Sequence, residues 1–248
     1  MNKNGLILAK TNDFCNSGNP KLTVVLIHGI ASDSSTFDGL LGYLKQSKKL
    51  DDVRFVTFDL LSSGKSMKSD DLNYDYTEQL TALRNAIKKL DIKTPLVLVG
   101  HSLGTFIVTR YADKYKDEVK SLILISAPVY TKKDFDNPAF ITGIKLFKDA
   151  VSVKDPALTK EKSFNNLMDN IVLDKNNYDA LANIKTPTNI IYGELDQFIA
   201  SFNYPKLLKD NPKYIIINKT PGRHGVSHDK YDKVCEILEK ELDETIQH

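Results

Sequence analysis

Residues 95–116 read Pro-Leu-Val-Leu-Val-Gly-His-Ser-Leu-Gly-Thr-Phe-Ile-Val-Thr-Arg-Tyr-Ala-Asp-Lys-Tyr-Lys, and their reading decides the fold. Leu96 to Val99 is a short, wholly apolar run, the pattern of a strand buried on both faces. From Leu103 the period changes: Leu103, Phe106, Ile107, Tyr111 and Ala112 recur at helical spacing. Between them stands Gly100-His101-Ser102-Leu103-Gly104, so a strand must become a helix within a few residues. Glycines two before and two after the serine let neighbouring backbone pass without a Cβ in the way. Such a bend exposes the serine hydroxyl above the N-terminus of the helix. The plain alternative is a serine that caps a helix in an ordinary turn.

Outward from this unit, the same alternation repeats. Leu22–Ile27, Val53–Phe58, Val119–Ser126, Thr188–Tyr192 and Lys213–Ile217 are apolar strand runs, and Gly5–Lys10 is expected to be a first, outer strand followed by a polar loop through Pro20. Helical patterns fall at 37–45, at 76–90 with Leu80, Leu83, Ile87 and Leu90 on one face, and at 229–246. Near-continuous apolar strands separated by helices imply an α/β fold with a mostly parallel, doubly wound sheet. Right-handed crossovers bring the strand C-terminal ends to one edge, where ligands bind in such sheets. From Ala127-Pro128 to Ile184 no buried strand run appears, only helical patterns around Phe140, Ile144 and Phe147 and around Phe164, Leu167, Met168, Ile171 and Val172. This predicts a core domain of residues 1–127 and 185–248 with a helical cap inserted at 128–184, or a long helical crossover in its place.

Bulk properties narrow the function. The chain has 248 residues, with 34 Lys+Arg against 32 Asp+Glu and a net charge of +2. No basic cluster is interleaved with aromatics, so nucleic acid is not an expected partner. The two cysteines, Cys15 and Cys235, fit neither a disulfide framework nor a metal-ligand spacing, which suits a reducing, cytoplasmic location. No apolar stretch is long enough for a membrane span or a signal peptide, so no membrane is expected. The five histidines include no metal-binding pair, and Ser63-Gly64-Lys65-Ser66 lacks the upstream glycine of a phosphate-binding loop. No metal and no cofactor are expected, and no feature speaks to oligomeric state.

With the Gly100-His101-Ser102-Leu103-Gly104 turn in its strand-to-helix context, the chain resembles the α/β-hydrolase family over nearly its whole length. The turn matches that family's nucleophile elbow. A serine that attacks an acyl carbon needs a base, and the base needs an orienting acid. The family's chain order is serine, acid, histidine. Here the matching residues are Ser102, Asp196 and His224, each just past an expected strand end. Glu194 and Asp174 compete as acids, and the match of Gly193-Glu194-Leu195-Asp196 to the family's Gly-x-x-Asp turn selects Asp196. His224 and His228 share one loop; the resemblance favours His224, with His228 as the alternative base. The resemblance also implies an oxyanion hole made of the backbone N–H groups of Leu103 and, from His28-Gly29-Ile30, of Ile30. His28 then braces its loop, and His101 is a pocket-wall or packing residue. The loop after Asp59 departs from the family pattern: Ser62-Ser63 stands where a glycine and an aromatic are common.

The resemblance therefore implies a cofactor-free serine hydrolase, carboxylesterase-like, with a small-molecule acyl ester of small to medium size as substrate. Acyl transfer, lactone hydrolysis and carbon–carbon bond hydrolysis use the same constellation. A ligand-binding member with vestigial catalysis is the alternative from another class.

Overall fold

Strands without polar alternation need cover on both faces, and this chain supplies it. The computed structural model of the protein describes residues 5–152, 161–224 and 231–247. One sheet contains β1 (Ala9–Phe14), β2 (Leu22–Ile27), β3 (Val53–Asp59), β4 (Leu96–His101), β5 (Ser121–Ile125), β6 (Thr188–Gly193) and β7 (Ile215–Thr220). The spatial order is β1-β3-β2-β4-β5-β6-β7. β1 is antiparallel to β3, and all other pairs are parallel.

Successive side chains of β2 go to opposite faces, as strand geometry requires. Val24 and Leu26 join a core cluster with Leu40 and Leu44 of α1 (Asp38–Leu44) and Val234, Cys235 and Leu238 of α8 (Tyr231–Gln247). Val25 and Ile27 join the opposite cluster, with Leu83 of α2 (Tyr76–Lys89) and Phe106 and Ile107 of α3 (Leu103–Lys114). Cys235 is fully buried in the first cluster, and burial pushes its thiol up to about 12. It packs there as a small apolar residue.

Between β5 and β6 the described residues hold α4 (Pro138–Ser152), α5 (Glu161–Leu167), one π-helical turn (Met168–Val172) and α6 (Asn177–Asn183), with no strand. Phe164, Leu167, Met168 and Ile171 bury their side chains in the cluster shared with α2 and α3. α4 is fastened to the chain leaving β5 by aromatic packing, with Tyr130 and Phe140 ring centroids 5.0 Å apart and Phe135 edge-on to both. After β6 comes α7 (Tyr204–Asp210). No helix among the described residues is long and apolar enough to cross a membrane.

Two strands differ from expectation. The first lies at Ala9–Phe14 and not at Gly5–Lys10. Leu6 and Leu8 are buried, but the backbone there bonds to α2: the Leu6 carbonyl accepts from Asn85 at 2.7 Å, and the Leu8 N–H donates to the Ala82 carbonyl. The real strand is polar because it is an edge, held by side chains. Arg54 grips Asp13 with two bonds of 2.7 and 2.8 Å, which pulls that carboxyl down to about 2. The last strand lies later than its apolar run, at Ile215–Thr220, because its pairing with β6 extends through Lys219 and Thr220. A half-exposed edge strand tolerates such polar residues.

The unusual Ser62 has a conformational cost. It is fully buried at φ 80°, a conformation that favours glycine, and its hydroxyl finds no hydrogen-bond partner among the described residues. Ser62→Gly removes both penalties and raises only the unfolded-state entropy. We expect a gain of about 1 kcal/mol, read in a thermal melt as a rise of roughly 2–4 °C. A lower melting temperature would show that the serine contributes a favourable contact.

Candidate active site

The site is built where β4 becomes α3. Ser102 stands between them at φ 50°, ψ −116°, outside the regions ordinary L-residues occupy. Two glycines hold it there. A Cβ on Gly100 would lie 2.7 Å from the Gly104 carbonyl group, and one on Gly104 would lie 2.1 Å from the Ile27 carbonyl oxygen at the end of β2. Both approaches are against backbone, so neither position accepts a side chain without a shift. The Ser102 N–H donates to the Ile125 carbonyl at 3.0 Å, which pins the bend to β5.

His224 comes to this serine from the loop after β7. Its Nε2 lies 2.9 Å from Ser102 Oγ, and its Nδ1 lies 2.9 and 3.0 Å from the two Asp196 carboxylate oxygens. The Asp196 side chain is fully buried, and its Oδ1 also accepts from the Phe198 N–H at 3.0 Å. A proton on Nδ1 facing the carboxylate leaves the Nε2 lone pair toward the serine hydroxyl. The structure therefore brings Ser102, His224 and Asp196 into one hydrogen-bonded row.

The competing carboxylates are engaged elsewhere. Glu194 pairs with Lys219 at 3.4 Å near the surface, and Asp174 pairs with Arg110 at 2.5 Å while accepting from the Tyr76 hydroxyl. His228 lies outside the described residues.

Two loops must cross closely to make this row. Gly193, at the end of β6, would place a Cβ 2.6 Å from the Gly222 carbonyl oxygen and 2.7 Å from that of Arg223. The Leu195 N–H donates to that same Gly222 oxygen at 2.9 Å, tying the aspartate turn to the histidine loop. The carbonyl of His224 itself accepts from the Ser126 hydroxyl at 3.1 Å and lies 3.2 Å from His101 Nε2. His101 is not among the residues that line the cavity described below. It packs behind His224, with ring centroids 5.6 Å apart, because successive residues at the end of β4 point to opposite sides. Ser126 has no counterpart in the sequence reading. It stands just past β5 on the same edge, but its φ of 51° and its contact with His224 come from the fold.

The loop after β2 closes the other side. A Cβ on Gly29 would lie 3.1 Å from Ser102 Cβ, so the peptide leading to Ile30 abuts the serine. Burial pushes the His28 imidazole pKa down, keeping the ring neutral. Its Nδ1 donates to the Gly29 carbonyl at 2.7 Å, and its Nε2 accepts from the Leu60 N–H at 2.9 Å. Asp59 accepts from the N–H groups of Ser34 and Lys65, and it leaves no room for a side chain at Gly64, whose φ is +47°. The loops that bear Ile30 and Ser62 are thus laced together.

Ser102 and His224 open on a cavity of about 450 Å³. Ile30, Leu103, Phe106 and Pro128 form its core side, and residues of α4 form the side opposite. Phe198 sits edge-on to the His224 ring, and its carbonyl accepts from Tyr130 at 2.6 Å. Burial, reinforced by the nearby Asp196 charge, pushes the Tyr130 phenol well above its usual range, so it remains a donor. Among the described residues no group of three or more His, Cys, Asp or Glu is placed to hold a metal ion.

The sequence model of the α/β-hydrolase fold family matches residues 23–177. The chain belongs to the α/β-hydrolase family. An Arabidopsis thaliana protein named "Probable lysophospholipase BODYGUARD 1" is 40% identical over 111 residues, 44% of this chain and 23% of that protein. The chain thus spans about a quarter of the length of such curated relatives. "Lipase 1" of Psychrobacter immobilis is 26% identical over 204 residues, 71% of this α/β-hydrolase and 62% of that lipase. Among solved structures, an esterase from Exiguobacterium antarcticum superposes with a TM-score of 0.71 at 21% identity, covering 95% of each chain. At that identity the likeness shows the shared fold.

The Gly193 crossing is directly testable. Gly193→Ala must push the 222–224 backbone away, at a cost of about 2 kcal/mol for overpacking against main chain. A lower melting temperature and a longer His224–Ser102 distance in the variant's crystal structure are expected. An unchanged melting temperature would mean that the loops do not meet at this spacing.

Proposed function

We propose that this α/β-hydrolase cleaves carboxylic esters through an acyl-enzyme intermediate. The observation that carries the reading is the Ser102–His224–Asp196 row opening on an apolar cavity. Ser102 Oγ attacks the acyl carbon while His224 Nε2 takes its proton. The carbonyl oxygen becomes an oxyanion, for which the N–H groups of Leu103 and Ile30 are the donors. Leu103 supplies its N–H at the first turn of α3, where no intrahelical acceptor competes for it. The alcohol leaves with the proton from His224, and water repeats the sequence to release the acid. Asp196 holds the imidazole in the productive tautomer and stabilises its cation.

The relatives named as lipases, and neighbours of the same fold named as esterases, support ester chemistry at this site. We read residues 1–127 and 185–248 as the catalytic core and 128–184 as a cap above it. The substrate is a small-molecule acyl ester of small to medium size. Both thiols are free, which fits a reducing compartment, so we place the protein in the cytoplasm.

Ser102→Ala is expected to lower kcat on a 4-nitrophenyl ester by roughly 10⁶, and Asp196→Asn by roughly 10⁴. A fluorophosphonate probe should label the wild type and not Ser102→Ala. Folded wild-type protein that neither labels nor turns over any ester would instead indicate a binding member with vestigial catalysis.

A further inference from the structure

On the reading that Ser102 and His224 are the reacting pair, we infer that the cavity beside them holds an uncharged aliphatic acyl chain, and that Gly143 of α4 sets how much of that chain is covered. Among the described residues no Asp, Glu, Lys or Arg lines the cavity, so a carboxylate or phosphate on the chain would find no countercharge among them. Apart from the reacting pair, the polar side chains on the wall among the described residues are Gln197 and Tyr130, and the Tyr130 hydroxyl is already committed to the Phe198 carbonyl.

The buried wall runs from Leu103 and Phe106 to Pro128 and Val172, whereas the α4 side is the open rim. On α4 Leu146 is 63% exposed, and beside the His224 ring Phe198 is 41% exposed. The acyl group stays on the enzyme between the two half-reactions, while the alcohol must depart and water must enter. The enclosed apolar wall therefore suits the part that stays. A methylene takes about the same share of volume as a liquid water, ~30 Å³. A cavity of about 450 Å³ thus accommodates the ester group and a chain of roughly ten carbons. Beyond that length the chain emerges past α4 into water and gains nothing further.

Gly143 is where this limit is adjustable. It lines the cavity one turn after Ala139, and a Cβ built on it meets nothing within 4 Å among the described residues. A larger side chain there enters open space without moving the backbone, and leucine is a better helix former than glycine.

The test is kcat/KM for 4-nitrophenyl esters from acetyl to hexadecanoyl, for a hemisuccinyl ester, and for a series of acetate esters of lengthening alcohols. For the wild type we expect a rise of roughly three- to fourfold per acyl methylene, levelling near ten carbons. The hemisuccinyl ester should be at least a hundredfold slower than the uncharged ester of equal length, and the alcohol series should be flat. Gly143→Leu should lower the octanoyl-to-acetyl ratio at least tenfold and Gly143→Ala by less, with both variants melting at or above the wild type. A flat acyl profile overturns the inference and leaves the esterase reading standing. So does length dependence confined to the alcohol, faster turnover of the charged acyl group, or an unchanged ratio in Gly143→Leu. Loss of all turnover and of Ser102 labelling in the wild type overturns both.

Discussion

The close approach of α3 to the end of β2 is the constraint on which the site depends. With no side chain at Gly104, the helix sits directly on the carbonyl oxygens of Ile27 and His28. The chain cannot reach that position from β4 by an ordinary turn, so Ser102 takes up a conformation that costs of order 1–3 kcal/mol elsewhere in proteins. That cost is offset by the packing of Leu103, Phe106 and Ile107 into the core beneath. The serine hydroxyl consequently projects from a rigid bend at the strand edge.

The same economy of small residues recurs around it. Gly29 brings the loop after β2 against the serine, Gly64 lets Asp59 fill its turn, and Gly193 lets the histidine loop cross the aspartate turn. A missing Cβ makes room for backbone at Gly193, for a carboxylate at Gly64 and for the Ser102 side chain at Gly29, and hydrogen bonds then fix the spacing. Ser126 and His101 act in this way at the His224 carbonyl. Position is thereby set from the main chain outward, and His224 needs little freedom of its own to meet both Ser102 and Asp196.

Much of this was legible in the chain. The buried central strands announced themselves by near-continuous apolar runs of β length, because parallel strands covered on both faces carry few polar residues to interrupt them. The edges announced themselves poorly. β1 is held by Thr11, Asp13 and their partners on β3, and β7 ends in Asn218-Lys219-Thr220, so in both places the apolar run is displaced from the ladder. Leu6 and Leu8 mislead for the same reason: they are core residues whose backbone bonds to a helix. Ser126 gave no signal at all, since a positive φ and a contact 98 residues away leave no local mark.

By itself the sequence determined the alternation of strands and helices, the glycine-flanked serine bend, and which polar residues stand just past which strands. Period, β-branching and the absence of side chains are local properties, readable without coordinates. The tertiary structure decided which of those residues touch. It set Asp196 against His224 while sending Glu194 to Lys219 and Asp174 to Arg110, it turned His101 behind the row, and it shaped the apolar cavity under α4. Those outcomes depend on how loops distant in sequence cross at one edge of the sheet, and crossing distances are a property of packing, which no local pattern encodes.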